Sequence, residues 1–355
     1  MPVVSSPVRP QGRLAKWDNL KAVLIFLVVF AHLFRRVNGE RPIMAGVFFF
    51  IYLFHMPAFI FVSGLFSKNA VKKRNYDRVF SFFLVYLITK FLIWFVQLLL
   101  KEDFVSDMPY TNLFRETGVA WYGLAMCVFL LMTMFLERYR IPNLMVVSIA
   151  LGCLVGYCKD VGAVGSMSRI LVFYPYFLAG YALEPKQILH VTEHWYSRAL
   201  SVAVLAVTCW LCLQYREELT PYSEFLKGKT DFSALEELAP YGGLFRLALY
   251  AVSFLLTFCL IAVIPNFHIP VVSTVGQRTL SIYMFHYPLV LYFYTGFVMK
   301  DWILTNWPDL YGPAYAIVSL LIVLLFATKP FDWLATKLTV LPLKTAPQQK
   351  GSGDL

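Results

Sequence analysis

Charged side chains are scarce in this sequence. Only 15% of its 355 residues are Asp, Glu, Lys or Arg, whereas 59% are hydrophobic, and a soluble globular domain carries about 25% charged residues. The mean hydropathy of +0.64 also argues against an ordinary soluble enzyme. Long polar stretches are missing as well, so no candidate soluble domain is visible. The composition therefore predicts a polytopic membrane protein.

Several common catalytic and structural patterns are absent from the sequence. Its six cysteines show neither zinc-site nor disulfide-framework spacing. It has no Gly-x-Ser-x-Gly elbow and no His-Glu-x-x-His motif, which argues against a serine hydrolase and a zinc peptidase. We therefore assign no metal ligands. The formal net charge of +10 lies mainly in short loops and tails rather than on a face suited to nucleic acid, so no nucleic-acid partner is expected.

Long apolar runs make up much of the sequence. Most of them reach the ~20 residues that an α-helix needs to cross a hydrocarbon core, and none shows the ~10-residue alternation of a transmembrane β-strand. We predict an all-α bundle of about ten transmembrane helices. The runs are residues 20–36, 43–67, 79–100, 120–136, 142–157, 168–184, 198–214, 244–264, 279–299 and 313–329.

The distribution of basic residues predicts the orientation of this bundle. With the amino terminus in the cytosol, the basic loop at 68–78 also lies in the cytosol, as the positive-inside rule requires. Ten spans return the carboxyl terminus to the same side, with 1–344 as one membrane domain and 345–355 as a disordered cytosolic tail. The connection at about 215–243 then falls outside, where it and the loop near 101–119 are expected to cap an external mouth.

A polar stripe on the first helix gives the strongest functional signal. His32 follows Lys21 by eleven residues, almost three helical turns, so the two side chains share one face roughly 16 Å apart along the axis. Asp18 precedes Lys21 by three residues and projects to the same side. A titratable imidazole near mid-membrane must face the bundle interior or a wet cavity and indicates a function. The structural alternative is an interhelical hydrogen-bonded histidine, with Lys21 as an interfacial anchor.

A second histidine is predicted at a similar depth. His55 lies on the second helix, two residues before Pro57. This proline leaves a backbone carbonyl without its helical hydrogen bond, which membrane proteins tolerate where a cavity or a neighbour can satisfy the carbonyl. A packed histidine at a helix kink explains the pattern equally well. The basic loop that follows carries Lys73, Arg74 and Arg78 into the third helix, an arrangement that suits phosphate groups or anionic lipids.

Aromatic side chains cluster in three further segments, one of which also contains a histidine. They suit the wall of a sugar-binding or acyl-binding cavity, although an interfacial aromatic belt has the same composition. The candidate residues in these segments are Trp121, Tyr174, Tyr176, Tyr283 and His286. Arg278 lies two turns before His286, which predicts a position for His286 in the cytosolic half of its helix.

Taken together, these segments resemble the family-three membrane acyltransferases, particularly the fucose 4-O-acetylase-like O-acetyltransferases. The resemblance runs in order over nearly the whole chain. Its stretches are Trp17-Asp-Asn-Leu-Lys21 through His32, Phe54-His-Met-Pro57 through Gly64, Phe173-Tyr-Pro-Tyr-Phe-Leu-Ala-Gly-Tyr181 and Gly276-Gln-Arg-Thr-Leu-Ser-Ile-Tyr-Met-Phe-His286. In the family, ten positions lie between a basic residue and the histidine of the first helix. Lys21 carries this pattern here, where many members have arginine.

The resemblance implies an enzyme that takes an acyl group, usually acetyl from cytosolic acetyl-CoA, and places it on a hydroxyl of a glycan or lipid-linked sugar. Under this hypothesis His32 is the general base, Asp18 and Lys21 order the cytosolic entry, and His55 assists. The expected donor-binding residues are Lys73, Arg74, Arg78 and Arg278. The expected acceptor-binding residues are the five aromatic and histidine candidates named above.

The expected location is a plasma or inner membrane, or an endomembrane in a eukaryote. The expected partners are membrane lipids, acyl-CoA and the sugar acceptor. Two alternatives stay open at this point: a proton-coupled transporter of a small solute, in which paired histidines relay protons, and a structural membrane subunit that acts through partners.

Overall fold

Helices make up all the regular structure in the part of the chain that the computed structural model describes, namely residues 14–34, 42–100, 118–139, 141–161, 166–296, 299–307 and 310–340. This confirms the all-α prediction. The helices are α1 (Ala15–Phe34), α2 (Pro42–Leu65), α3 (Lys68–Lys72), α4 (Tyr76–Leu99), α5 (Trp121–Arg138), α6 (Leu144–Leu154), α7 (Met167–Ala182), α8 (Pro185–Thr192), α9 (Trp195–Gln214), α10 (Arg216–Leu219), α11 (Ser223–Leu226), α12 (Gly242–Val263), α13 (Pro270–Gln277), α14 (Thr279–Gly296), α15 (Met299–Asn306), α16 (Tyr311–Phe326) and α17 (Lys329–Thr339). Short 3₁₀ segments lie at Val155–Tyr157, Lys159–Val161, Thr220–Tyr222 and Phe232–Tyr241.

The protein is a multi-pass integral membrane protein. Five helical stretches in the described ranges are long and apolar enough to cross a bilayer, and α16 with α17, bent by 64° at their junction, qualify as a sixth when counted together. The five are Pro42–Leu65, Tyr76–Leu99, Trp121–Arg138, Trp195–Gln214 and Phe232–Val263. Each of the ten predicted runs overlaps a helix, but α6 and α7 contain only 11 and 16 residues. The count of ten spans and the cytosolic termini stay predictions, and the tail at 345–355 lies outside the described residues.

Helix α1 lies inside the bundle. It packs against α2, α13, α14 and α16, and Leu20, Leu24 and Val29 are completely buried. An imidazole at the predicted depth of His32 is costly to expose to lipid, and the neighbouring helices shield it. This packing turns the polar stripe of α1 toward protein.

Helices α2 and α7 meet at backbone distance. A side-chain carbon at Gly64 would overlap the backbone of Phe177, and one at Gly180 would overlap the backbone of Phe61. Small residues at such positions let two helices pack closely where no hydrophobic force drives them together. The contact holds together two helices that both contribute to the cavity described below.

The proline inside α2 leaves a carbonyl that another helix satisfies. Pro57 has no N–H to donate to the carbonyl of Leu53. The hydroxyl of Ser253 on α12 donates to that carbonyl at 2.5 Å. The sequence predicted that a neighbour or cavity would supply the missing bond, and Ser253 on α12 does so.

Candidate active site

A cavity inside the bundle collects side chains from distant parts of the chain. It holds about 710 Å³ of space, counted out to its open mouth. We call it the histidine cavity, since two histidines line it. Its lining residues are His32, Tyr52, His55, Met56, Gly118, Val119, Trp121, Arg169, Phe173, Leu226, Lys227, Lys229 and Tyr287. The structure thus brings together His32, His55 and Trp121 with residues from both loops that the sequence places at the external mouth.

A third imidazole stands beside this cavity. The ring of His286 on α14 is 5.4 Å from the ring of His32 between centroids, and His286 is completely buried. The ring of Tyr287 meets the ring of His32 edge-on at 5.3 Å. His286, a predicted acceptor-binding residue, is a direct neighbour of His32 because α14 packs against α1.

Backbone hydrogen bonds fix the tautomers of two of these histidines. Nδ1 of His55 lies 2.8 Å from the carbonyl of Ile51, and Nδ1 of His286 lies 2.9 Å from the carbonyl of Ile282. A carbonyl only accepts, so in the neutral rings Nδ1 carries the hydrogen and Nε2 carries the basic lone pair. Nε2 of His286 is buried and has no hydrogen-bond partner in the described part of the chain.

Arg169 forms part of the wall of the histidine cavity. It is buried near the start of α7, with its guanidinium 5.3 Å from the ring of Trp121. Its Nη1 donates to the carbonyl of Gly118 at 3.0 Å. The stacking and the hydrogen bond hold this cation in one orientation against the cavity.

Two lysines between α11 and the following 3₁₀ segment complete this wall. Lys227 and Lys229 both pair with the carboxylate of Glu224, Lys229 at 3.1 Å. Lys227 also lies 5.8 Å from the ring centre of Tyr52, whose ring packs edge-on against His55 at 4.6 Å. Burial alone would raise the pKa of Glu224, but the two ammonium groups outweigh it and lower the pKa to about 2. Glu224 is therefore ionised at neutral pH.

A second cavity opens at the end of the bundle where α1 and α4 begin, which we call the basic-end cavity. It holds about 1310 Å³ of space, open solvent included. It is lined by Lys21, Phe59, Val62, Ser63, Phe66, Asn75, Asp77, Arg78, Ser81, Phe82, Val85, Tyr122, Met126, Thr279, Leu280, Tyr283, Thr339 and Val340. Lys21 and Arg78 from the predicted site face this cavity together with Tyr283.

Hydrogen bonds anchor the start of α1 beside the basic-end cavity. Lys21 pairs with Asp18 at 3.0 Å, and the amide of Gln277 donates to Asp18 at 3.3 Å. The amide of Asn19 donates to the carbonyls of Pro265 and Phe267 at 3.1 and 2.9 Å. These bonds tie α1 to the segment around α13, so the Asp18–Lys21 pair is held in place rather than left to move on the surface.

Tyrosines mark the boundary between the two cavities. Tyr283, on the basic-end cavity, donates its hydroxyl to the carbonyl of Val119 at 2.7 Å, and Val119 lines the histidine cavity. The ring of Tyr122 lies 5.3 Å from the ring of Tyr283, and its hydroxyl is 2.8 Å from the hydroxyl of Ser63. Tyr283 thus links the lining of one cavity to the lining of the other.

Two predicted aromatic residues lie away from both cavities. The hydroxyl of Tyr174 is 3.1 Å from that of Thr133. The ring of Tyr176 packs against Tyr250 and Phe254, at 5.4 and 4.8 Å. Neither tyrosine is among the residues that line either cavity.

The remaining predicted cations lie at the basic end without lining its cavity. Lys73 and Arg74 are exposed on the turn between α3 and α4. Arg278 donates to the carbonyl of Ala327 at 2.6 Å and pairs with Asp332 at 3.6 Å. Arg278 therefore braces the junction of α16 and α17.

Sequence reasoning missed Arg169, Lys227, Lys229, Asn19 and Tyr287. A signal existed for Arg169, since it is a charged residue inside a predicted apolar run. Lys227 and Lys229 lie in the loop expected to cap the mouth, but nothing in their local pattern links them to His32. In the described ranges, no group of three or more His, Cys, Asp or Glu side chains is arranged to hold a metal ion.

Comparisons with known proteins identify relatives of the chain. A protein-family model described as an acyltransferase domain, of acyltransferase family three, matches residues 14–328. The nodulation protein NolL of Mesorhizobium japonicum is 21% identical over 250 residues, which cover 67% of this chain and 66% of that protein. The nodulation protein NolL of Sinorhizobium fredii is 32% identical over 81 residues, 22% of each chain. The chain thus spans just under two thirds of the first relative's length. No solved structure matches the chain.

Proposed function

The chain belongs to the family-three acyltransferases, and we propose that it is an integral membrane O-acyltransferase. It transfers an acetyl group from cytosolic acetyl-CoA to a hydroxyl of a glycan or a lipid-linked sugar. The acceptor occupies the histidine cavity, and the donor enters through the basic-end cavity.

His32 is the proposed general base. The acceptor oxygen attacks the thioester carbon, the new C–O bond forms as the C–S bond breaks, and the hydroxyl proton passes to His32. The thiolate of CoA leaves and takes up this proton, which restores the neutral imidazole. Positioned proton transfer of this kind is worth roughly 10²–10⁴ in rate. His286 and His55 assist His32. Because Nδ1 of each ring donates to a backbone carbonyl, Nε2 is the basic atom in both.

The basic-end cavity is the proposed donor site. Lys21 and Arg78 line it, and the exposed Lys73 and Arg74 lie on the adjoining turn, so fixed cations are available for the phosphates of CoA. Arg278 has a positioning role, because its guanidinium is engaged by other parts of the chain. The thioester end of the donor would have to pass the tyrosine boundary to reach His32.

One observation carries the proposal: His32 lines a cavity within the protein and lies beside a second buried imidazole. A ring facing lipid would have no route to either substrate. Paired histidines would also suit a proton-coupled transporter, but the family match favours acyl transfer over transport.

Mass spectrometry of surface glycans tests the proposal. Cells that lack the protein should lose an acetyl increment on a glycan, and the wild-type chain should restore it. His32→Ala should fail to restore it while still inserting in the membrane, whereas the matched variant His268→Ala, at an exposed histidine, should restore it. An unchanged glycan profile without the protein, or full restoration by His32→Ala, would contradict the proposal.

A further inference from the structure

Arg246 on α12 is a buried cation outside both cavities. It is only 1% exposed, and it lies in a helical stretch that is apolar enough to cross a bilayer. It is not among the residues that line either cavity. A cation in such a stretch is costly to bury, so its presence there indicates a role.

Two contacts join Arg246 to Phe225 in α11. Nη1 of Arg246 donates to the carbonyl of Phe225 at 3.1 Å, and the guanidinium carbon lies 3.9 Å from the centre of the Phe225 ring. The Phe225 ring also packs against the ring of Phe232 at 5.8 Å. A planar guanidinium donates hydrogen bonds at its edge and stacks with its face. Arg246 therefore holds both the backbone and the side chain of Phe225.

The residues that follow Phe225 form part of the histidine cavity. Leu226, Lys227 and Lys229 all line it, and Leu226 is the next residue after Phe225. We call residues 223–231 the wall segment. Because consecutive residues are only about 3.8 Å apart, the position of Phe225 largely sets the position of these lining residues.

A second buried hydrogen bond holds the wall segment on the far side of Leu226 and Lys227. The hydroxyl of Ser168 on α7 donates to the carbonyl of Gly228 at 2.8 Å. Gly228 has a positive φ of 65°, and a side-chain carbon there would come within 3.1 Å of Val172. Glycine suits this close, left-handed position. Arg246 and Ser168 thus fix the backbone on both sides of the residues that face the cavity.

We propose that Arg246 is a positioning residue that holds the wall segment in the conformation that the acceptor binds. This inference rests on the proposed function, which places the acceptor in the histidine cavity. Arg246 touches no substrate in this arrangement and acts through Phe225. A segment that is fixed before binding loses little conformational entropy when the acceptor arrives, so the acceptor binds more tightly than it would to a mobile wall.

Steady-state kinetics of Arg246→Met tests the inference, because methionine cannot donate to the carbonyl of Phe225. The acceptor would be oligosaccharides prepared from cells that lack the protein. We expect the acceptor KM to rise at least about tenfold, the order of one lost hydrogen bond to a charged group. The KM for acetyl-CoA should not change, because Arg246 does not line the basic-end cavity. Loss of folded protein lowers the rate without changing either KM, so it cannot imitate this result.

Three further variants locate the effect. Arg246→Lys keeps the charge and a donor, so its acceptor KM should lie closer to that of the wild type than the value for Arg246→Met. Ser168→Ala removes the second hydrogen bond and should also raise the acceptor KM, which keeps the test valid if Arg246→Met does not fold. The matched control is Ser148→Ala, at a buried serine whose hydroxyl donates to Met145 in its own helix. Neither KM should change in this control.

Hydrogen exchange separates positioning of the wall segment from general stability. In Arg246→Met, the amides of residues 223–231 should exchange faster at neutral pH than in the wild type. Helix α4, which packs against α5 and α14, should keep its wild-type protection. Faster exchange in α4 to the same extent would mean that Arg246 only stabilises the whole bundle.

The inference would be overturned by a wild-type acceptor KM in Arg246→Met and Ser168→Ala, or by an equal rise in the KM for acetyl-CoA. Unchanged exchange of the wall segment in Arg246→Met would overturn it as well. If the purified wild type transfers no acetyl group to the oligosaccharides, the proposed function is contradicted. The hydrogen-exchange result would then still decide whether Arg246 positions the wall segment.

Discussion

At the scale of single residues, hydrogen bonding decides which nitrogen of each histidine is available. His55 and His286 both direct Nδ1 at the carbonyl one turn earlier in their own helices. This leaves Nε2 as the basic atom in both rings. An ordinary α-helix therefore prepares the tautomer without any carboxylate partner.

We expect His286→Asn to separate this role from packing. Asparagine keeps a donor for the carbonyl of Ile282 but has no atom at the position of Nε2. Steady-state kinetics should show kcat for acetyl transfer reduced by about 10²-fold, with little change in the KM for acetyl-CoA, because His286 does not line the basic-end cavity, which is the proposed donor site. Wild-type kcat in this variant would show that His286 only fills space beside His32.

Some residue-level features could be predicted from the sequence and others could not. The three-residue spacing of Asp18 and Lys21 predicted a shared face, and the two side chains form an ion pair at 3.0 Å. Arg169 and Lys227 reach the same cavity from α7 and from a loop that follows α11. Their meeting depends on tertiary packing, which no local pattern in one sequence encodes.

At the scale of helices, the glycine contact between α2 and α7 predicts a sharp response to one added methyl group. Gly180→Ala should lower the free energy of unfolding by about 1–3 kcal/mol, the usual cost of overpacking, because the new carbon meets the backbone of Phe61. Thermal unfolding in detergent would measure this as a lower Tm.

The matched control is Gly243→Ala, where the nearest atom is 3.3 Å from the added carbon and belongs to the hydroxyl of the Tyr157 side chain. That variant should change Tm much less than Gly180→Ala. Equal Tm values for the two variants would show that the close approach of α2 and α7 contributes nothing to stability.

The loop around Glu224 should be sensitive to acid. The pKa of Glu224 is about 2, below its ordinary value of 4.5, because its two lysine partners outweigh the opposite effect of burial. A carboxyl group whose pKa is lowered in the folded loop stabilises that loop at pH values above its ordinary pKa. This stabilisation is lost as the pH falls through the pKa of the folded state. We expect hydrogen-exchange protection of residues 223–231 to hold down to about pH 4.5 and to decline between 4.5 and 2.

Glu224→Gln provides the control for that measurement, because an amide has no proton to gain in this range. Its protection should be lower at neutral pH and should not change between pH 4.5 and 2. An acid transition of the same size in Glu224→Gln would assign the transition to another group.

The helices themselves were largely predictable, since each predicted apolar run overlaps a helix. Short helices such as α13 and α17 were not predicted. They contain 8 and 11 residues with mixed polar and apolar side chains, so a search for continuous apolar runs passes over them. Both nevertheless position the site, α13 through its packing against α1 and α17 through Arg278.

At the scale of the whole molecule, two cavities are available for the two substrates of the proposed reaction. A large cavity with Lys21 and Arg78 opens at the basic end, and a second cavity holds His32. Tyr122 and Tyr283 lie at the boundary between them. Composition predicted the membrane bundle, and spacing predicted the stripe on α1, but the existence of two adjoining cavities follows only from the packing.

Acetyl transfer across sealed vesicles tests the central claim most directly. Purified protein with its basic end outward would receive labelled acetyl-CoA outside and a mixture of neutral and acidic oligosaccharides inside. We predict label on the enclosed sugars with the wild type and with His268→Ala, and none with His32→Ala. Label transferred by His32→Ala at the wild-type rate, or only to sugars placed on the same side as acetyl-CoA, would contradict the account.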